Sequence, residues 1–268
     1  MLDVMRRNHV RVGGTGNPQI VFAHGYGCDQ TMWLDVAPAF AATNRTILFD
    51  HVGAGQSDLS AFSRSRYATL HGYARDLVEI IDSAATGPVV YVGHSVSAMI
   101  GVLAAIERPQ AFALLVLLTP SPCYRNDGDY RGGFEIEDLE QIIESMDANY
   151  LGWSRSLAPV IMGNPERPEL SEKLTNSFCR TDPDIARHFG RVTFLSDHRA
   201  DLPRSVVPSV ILQCQTDAIA PASVGQYMQS MMPTSQLVEL QATGHCPHVS
   251  HPDEVIAAIR HAIATHFA

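Results

Sequence analysis

Short, mostly apolar runs alternate along the chain with longer stretches of helical periodicity. The runs at residues 20–23, 46–49, 89–92, 114–118, 209–212 and 237–240 are typical of central strands covered on both faces. Helical spacing of apolar residues is clearest at residues 67–84, 96–106, 222–231 and 253–266. This alternation predicts an α/β fold with a mostly parallel central sheet flanked by helices.

The alternation stops once, between residues 122 and 208. Four helix-like segments, at residues 136–150, 152–162, 168–179 and 184–195, follow one another there without a convincing strand. We interpret residues 122–208 as a helical cap, or lid, inserted into a core formed by residues 1–121 and 209–268. A chain of 268 residues is within the usual size of a single α/β domain.

Composition narrows the possible partners. The chain has 19 Lys and Arg against 28 Asp and Glu, a net charge of −9, so we do not expect it to bind nucleic acid. No window approaches the roughly 18 apolar residues of a membrane span, and the N-terminal residues lack the pattern of a secretory signal. The five cysteines contain no C-x-x-C pair and are typical of free thiols. These features predict a cytoplasmic protein with no membrane partner.

The strongest local motif is GHSVS at residues 93–97, directly after a predicted strand and directly before a predicted helix. A serine on such a turn projects its hydroxyl away from the sheet, which is the arrangement of a nucleophile elbow. The pattern departs from G-x-S-x-G because Ser97 occupies the last position. Ser95 is therefore the candidate nucleophile, and the alternative is that it only caps the following helix.

The partners of Ser95 are expected later in the chain, in the order acid and then histidine. Asp217 follows the strand predicted at residues 209–212, and His245 follows the strand predicted at residues 237–240. We expect Ser95 to attack, His245 to take and return its proton, and Asp217 to orient His245. Asp197 and Asp201 are the rival acids.

Two backbone N–H groups are expected to stabilise an oxyanion. One belongs to Val96, directly after the nucleophile, and the other to Tyr26, in the loop HGYG at residues 24–27 after the first central strand. Loss of one such donor typically lowers turnover roughly 10²–10³-fold.

A histidine- and cysteine-rich stretch allows a second interpretation. His245, Cys246, His248 and His251 have spacings that a metal site could use. No His-Glu-x-x-His pattern or second ligand cluster accompanies them, so the sequence favours the triad and predicts neither a metal nor a cofactor.

With these residues assembled, the chain resembles the α/β-hydrolase superfamily. Within it, the chain is most similar to the RsbQ-type bacterial stress regulators and to the plant karrikin and strigolactone receptors. The shared stretches are RNHV at 7–10, HGYGCDQ at 24–30, GHSVSAMIG at 93–101, SPCY at 121–124, GGFE at 132–135 and GHCPH at 244–248.

The resemblance implies slow hydrolysis of a small hydrophobic ester or enol ether, coupled to signalling. In the bacterial branch the implied partner is a serine phosphatase with a sensory domain. Tyr26 and Leu157 stand where the plant karrikin receptor has Phe, which argues against a plant-hormone ligand. The implied pocket residues are Tyr26, His94, Phe134, Ile142, Trp153, Leu157, Val160, Phe194 and Ile219.

Two alternatives to a simple hydrolase stay open. The useful output could be a ligand-dependent contact with a partner protein, in which case the chain is a receptor or signalling module. The chain could also be a non-hydrolytic member of the same fold, such as a lyase or a cofactor-free oxygenase.

Overall fold

Seven strands form one sheet at the centre of the molecule. The structure, a computed structural model, describes residues 3–268. The sheet order is β1-β3-β2-β4-β5-β6-β7, and every neighbouring pair is parallel except β1 with β3. This confirms the predicted α/β-hydrolase fold with its mostly parallel sheet. The strands are β1 (Arg11–Gly13), β2 (Gln19–Ala23), β3 (Thr46–Leu48), β4 (Val89–His94), β5 (Phe112–Leu118), β6 (Ser209–Thr216) and β7 (Ser235–Thr243).

The apolar runs form strands because both faces of the sheet are covered. In β2, Val21 and Ala23 pack into the cluster on one face, while Ile20 and Phe22 pack into the cluster on the other. All six residues of β4 are buried as well. Strand β1 was not predicted, because it has only three residues and none of them is buried, so the sequence shows no apolar run there.

Eleven α-helices lie within the part of the chain that the structure describes. Helices α3, α4 and α9 cover one face of the sheet, and α2 and α11 cover the other. The helices are α1 (Val4–Arg7), α2 (Pro38–Ala41), α3 (Leu70–Ala84), α4 (Val96–Glu107), α5 (Ile136–Ala148), α6 (Tyr150–Met162), α7 (Pro168–Cys179), α8 (Pro183–Phe194), α9 (Ala222–Met231), α10 (Pro247–Ser250) and α11 (Pro252–His266).

Helices α5 to α8 follow one another between β5 and β6, where the sequence predicts the cap. Their apolar faces form a third cluster with side chains from the loops after the strands, among them Cys28, Tyr124 and Ile219. Asn149 separates α5 from α6 and caps α6, since its side chain accepts from the N–H of Gly152. These four helices therefore close the carboxyl edge of the sheet, where catalytic groups gather in this class of fold.

None of the helices in residues 3–268 combines the length and apolarity needed to cross a membrane.

Candidate active site

Ser95 occupies the sharp turn between β4 and α4. Its backbone adopts φ 57° and ψ −122°, a strained conformation for a residue with a side chain, which typically costs about 1–3 kcal/mol. The Ser95 N–H donates to the carbonyl of Leu118 at 2.9 Å, and the surrounding strands hold the turn in place. The Ser95 side chain makes no capping hydrogen bond to α4, so its hydroxyl is available for another partner.

That partner is His245. The Ser95 Oγ lies 2.7 Å from His245 Nε2, and His245 Nδ1 lies 2.7 Å from Asp217 Oδ2. A carboxylate can only accept, so the ring proton of His245 is on Nδ1 and Nε2 accepts from the Ser95 hydroxyl. The other oxygen of Asp217, Oδ1, accepts from the N–H groups of Ile219 at 2.8 Å and Ala220 at 3.1 Å. The structure thus joins the three predicted triad residues in one chain of hydrogen bonds.

The loop that carries His245 is anchored on both sides. Its backbone N–H donates to the carbonyl of Ile161, near the end of α6, at 2.8 Å. Its carbonyl accepts from His94 Nε2 at 2.8 Å and from Thr119 Oγ1 at 3.1 Å. Gly244, which directly precedes His245, has φ 84° and packs against the end of α6. A Cβ on Gly244 would lie 1.9 Å from the carbonyl oxygen of Met162. Helix α6 therefore helps to position the imidazole of His245.

The N–H groups of Tyr26 and Val96 flank the Ser95 turn. Val96 begins α4, where the helix dipole adds partial positive charge. Within residues 3–268 no backbone carbonyl accepts from either N–H. The Tyr26 loop packs tightly on the elbow, since a Cβ on Gly25 would lie 2.6 Å from His94 Nδ1. The structure thus brings the loop that carries Tyr26 against the turn that carries Val96, the two residues that the sequence predicts as oxyanion donors.

A small cavity of about 30 Å³ lies above Ser95. It is far smaller than the roughly 300–1,000 Å³ of pockets that enclose drug-sized ligands. Four of the predicted pocket residues line it, namely Tyr26, His94, Phe194 and Ile219. In this conformation the cavity has room for only a few heavy atoms beside Ser95.

The other predicted pocket residues lie elsewhere. Phe134, Ile142, Trp153 and Leu157 line an open groove of about 540 Å³ between α5 and α6. The ring of Trp153 lies 6.2 Å from that of Tyr26, so the two rings separate the groove from the cavity. Val160 is 52% exposed and lines neither space.

Seven cavity residues were not predicted as pocket residues. Leu174 and Phe178 are spaced i, i+4 on α7, so their common face could be read from the sequence, but not which helix would cover Ser95. Tyr124 follows the carboxyl end of β5, a position that could have marked it. The seven are Cys28, Tyr124, Ile161, Leu174, Phe178, Thr193 and Cys246.

The surroundings of the triad are uncharged. Burial lowers the pKa of His24, lowers that of His94 well below its usual value, and lowers that of His248 to about 3. Burial also raises the pKa of the Cys28 thiol to about 12 and raises that of Cys246 well above its usual value. The three imidazoles are neutral at pH 7 and the two thiols stay protonated. None of these five groups is therefore a charged base or a thiolate nucleophile beside Ser95 and His245.

The rival groups have other partners. Asp197 pairs with Arg199, and Asp201 pairs with His198 and Arg204, outside the cavity. His251 Nδ1 lies 2.9 Å from Ser250 Oγ. Over residues 3–268, no group of three or more His, Cys, Asp or Glu side chains is arranged to hold a metal ion.

Comparison with known proteins decides the family. The model of the Alpha/beta hydrolase family matches residues 20–258. The chain belongs to this family. This hydrolase is 39% identical to "Karrikin insensitive 2 receptor CA" of Petunia hybrida, over 96% of this chain and 95% of the relative. It is 38% identical to a strigolactone esterase of Arabidopsis thaliana, over 97% and 98%.

A solved structure supports the same grouping. A hydrolase from Oleispira antarctica has a TM-score of 0.94 and 42% sequence identity, covering 97% of this chain and 95% of that one. The chain is therefore an esterase-like α/β hydrolase, related to the karrikin and strigolactone receptors.

Proposed function

We propose that the protein hydrolyses small hydrophobic esters, or enol ethers that behave like esters, through Ser95, His245 and Asp217. The observation that carries this proposal is the unbroken pair of 2.7 Å contacts from Ser95 Oγ through His245 to Asp217. This is the hydrogen-bond reach that an activated serine needs. The N–H groups of Tyr26 and Val96 beside Ser95 supply the second requirement, a site for negative charge.

Each residue then has a role in acyl transfer. His245 Nε2 takes the hydroxyl proton as Ser95 Oγ bonds to the carbonyl carbon, and Asp217 stabilises the imidazolium. The carbonyl oxygen becomes an oxyanion that accepts from the N–H groups of Tyr26 and Val96. His245 then gives its proton to the leaving oxygen. In the second half of the reaction His245 takes a proton from water, which attacks the acyl carbon. The bond to Ser95 Oγ then breaks, His245 returns the proton to Ser95, and the carboxylic acid leaves.

The substrate class follows from the cavity. Its lining is mostly apolar and includes neutral thiol and imidazole groups, which favours an uncharged, hydrophobic ligand. At about 30 Å³ the closed cavity admits only the reacting group. We infer that residues 122–208 act as a cap on a core of residues 1–121 and 209–268. The open groove lined by Phe134, Ile142, Trp153 and Leu157 would then accept the rest of the ligand as the cap shifts.

A second output, signalling, is favoured by the relatives that are named receptors. The resemblance to RsbQ-type regulators extends this to bacterial stress signalling in the cytoplasm, with a serine phosphatase carrying a sensory domain as partner. Binding of such a phosphatase, measured with wild-type protein and with Ser95→Ala in the presence of a hydrophobic ester, tests this output. Binding that ignores both ligand and triad would contradict it.

The hydrolytic proposal is tested by Ser95→Ala with an aryl acetate as substrate. We expect kcat to fall at least about 10³-fold while the thermal midpoint changes little, because the hydroxyl makes one hydrogen bond of its own. Ser209→Ala is the matched control. Ser209 is also buried, and within residues 3–268 its hydroxyl bonds only to the carbonyl of Val207, at the opposite end of the sheet. Equal turnover in wild type and Ser95→Ala would overturn the proposal.

A further inference from the structure

Ser97 stands where the general elbow pattern has glycine, and its hydroxyl is fully buried. Ser97 Oγ lies 2.5 Å from the carbonyl oxygen of His24 and 2.7 Å from His51 Nε2. The triad uses none of these three groups. They join the segments that follow β2 and β3 to the first turn of α4.

The direction of each hydrogen bond in this cluster is fixed. The carbonyl of His24 can only accept, so the single hydroxyl proton of Ser97 goes to it, and Ser97 Oγ accepts from His51 Nε2–H. His24 Nε2 accepts from the backbone N–H of His51 at 3.1 Å. The proton of the His24 ring is therefore on Nδ1, which donates to the carbonyl of Gly25 at 2.9 Å. Both imidazoles are neutral in this arrangement, in keeping with their burial.

Ser97 and His51 form a second Ser–His pair, but the pair has no means of nucleophilic attack. Ser97 is 0% exposed and does not line the cavity. Its proton is committed to a carbonyl, and His51 Nδ1 has no hydrogen-bond partner within residues 3–268. No carboxylate orients this imidazole as Asp217 orients His245. The pair is therefore structural, and its role follows from where His24 and Ser97 lie in the chain.

His24 lies two residues before Tyr26, and Ser97 lies one residue after Val96. We propose that Ser97, held in place by His51, is a positioning residue that fixes the Tyr26 N–H relative to the Val96 N–H. This inference rests on the proposed hydrolytic function. The bond from Ser97 Oγ to the His24 carbonyl directly links the two segments that carry the proposed oxyanion donors.

Removing this hydrogen bond should weaken the stabilisation of the transition state more than the binding of the substrate. An oxyanion donor is typically worth roughly 10²–10³ in turnover, and a misplacement of about 1 Å can cost about 10²-fold. We expect Ser97→Ala to lower kcat about 10- to 100-fold and to leave KM within about twofold, since a transition-state interaction affects kcat and kcat/KM equally.

A boronic acid supplies the readout that a general loss of stability would not give. Its boron bonds to the Ser95 oxygen, and one boron-bound oxygen occupies the oxyanion position. The inhibition constant for phenylboronic acid should rise in Ser97→Ala by a factor similar to the fall in kcat. His51→Leu should behave in the same way, whereas His51→Gln, which keeps an N–H donor for Ser97, should recover most of the loss. Ser209→Ala is the control for removing a buried serine hydroxyl.

All measurements are made well below each variant's thermal midpoint. Wild-type values of both kcat and the inhibition constant in Ser97→Ala would overturn the inference, as would a change in KM alone. If Ser97→Ala does not fold, Ser97→Cys replaces it, because a thiol fills the space but bonds weakly, and the same changes are expected. Loss of activity in Ser95→Ala together with no effect at Ser97 would reject the positioning role and leave the hydrolytic function standing. No difference between wild type and Ser95→Ala would reject the function itself.

Discussion

Asp217 uses its two carboxylate oxygens for different purposes. Oδ1 accepts from the N–H groups of Ile219 and Ala220, and Oδ2 accepts from His245 Nδ1. The two backbone donors hold the carboxylate in its orientation independently of its hydrogen bond to the imidazole. The side chain of Asp217 is fully buried, so water does not compete for either oxygen.

The arrangement predicts the effect of Asp217→Asn. The two backbone N–H groups hold the amide oxygen at the Oδ1 position, which turns the amide NH₂ toward His245 Nδ1. His245 then carries its proton on Nε2 and cannot accept from Ser95. We expect kcat to fall roughly 10³–10⁴-fold at pH 7 with little change in thermal midpoint. A fall below tenfold in an aryl ester assay would show that the tautomer of His245 does not limit the reaction.

Helix α7 contributes two residues, Leu174 and Phe178, to the lining of the cavity. Phe178 lines the cavity and packs on Gly27, where an added Cβ would lie 2.0 Å from the ring. Gly27 has φ 69°, so the loop that carries Tyr26 makes this approach only because the residue is glycine. If Ser95 forms the proposed acyl-enzyme, the ring of Phe178 is expected to limit the size of the acyl group above it.

Phe178→Ala should widen the acyl preference. Each methylene newly buried in the enlarged cavity is worth about 0.8 kcal/mol, or roughly a fourfold gain in kcat/KM for butyrate over propionate aryl esters. The substitution should also destabilise the protein by about 3–5 kcal/mol. Phe40→Ala, a buried phenylalanine on the far face of the sheet, is the control for stability alone. An unchanged chain-length preference in Phe178→Ala would contradict the assignment of this wall.

How far the sequence predicts each element depends on whether the signal is local. The strand-to-helix turn at Ser95, and the strand ends that precede Asp217 and His245, are marked by residues next to one another in the chain. The cavity wall is not, because Phe178 faces Gly27 across 151 positions of sequence, and only the packing of the cap helices brings them together. Trp153 and Leu157 were predicted to line the cavity but line the open groove instead, because the packing of the cap helices decides which way they face.

Across the molecule, four buried histidines, His24, His51, His94 and His248, have pKa values lowered by burial. The ring of His248 packs in tilted contact with the rings of Trp33 and His94, at centroid distances of 4.5 Å and 4.3 Å. Neither of its ring nitrogens has a hydrogen-bond partner in the described part of the chain. The fold keeps these rings neutral, whereas the unfolded chain protonates them below pH 6.5.

This difference makes stability depend on pH. For His248, with a folded pKa of about 3, the unfolded state binds more protons between pH 6.5 and 3, so the free energy of unfolding falls as the pH falls through that window. His248→Phe should reduce the slope by up to about 1.4 kcal/mol per pH unit in urea unfolding between pH 7 and 5. His261→Phe, an exposed site on α11, is the control. Identical slopes in wild type and His248→Phe would contradict a buried neutral imidazole.

Covalent capture by an active-site inhibitor tests whether Ser95 is the activated nucleophile. The intact protein is treated with a fluorophosphonate, which phosphonylates a serine activated by a base, and the adduct is located by peptide mass spectrometry. We predict one adduct, on Ser95, that is absent in Ser95→Ala and forms much more slowly in Asp217→Asn. An adduct at another residue, or labelling that persists undiminished in Ser95→Ala, would contradict this prediction.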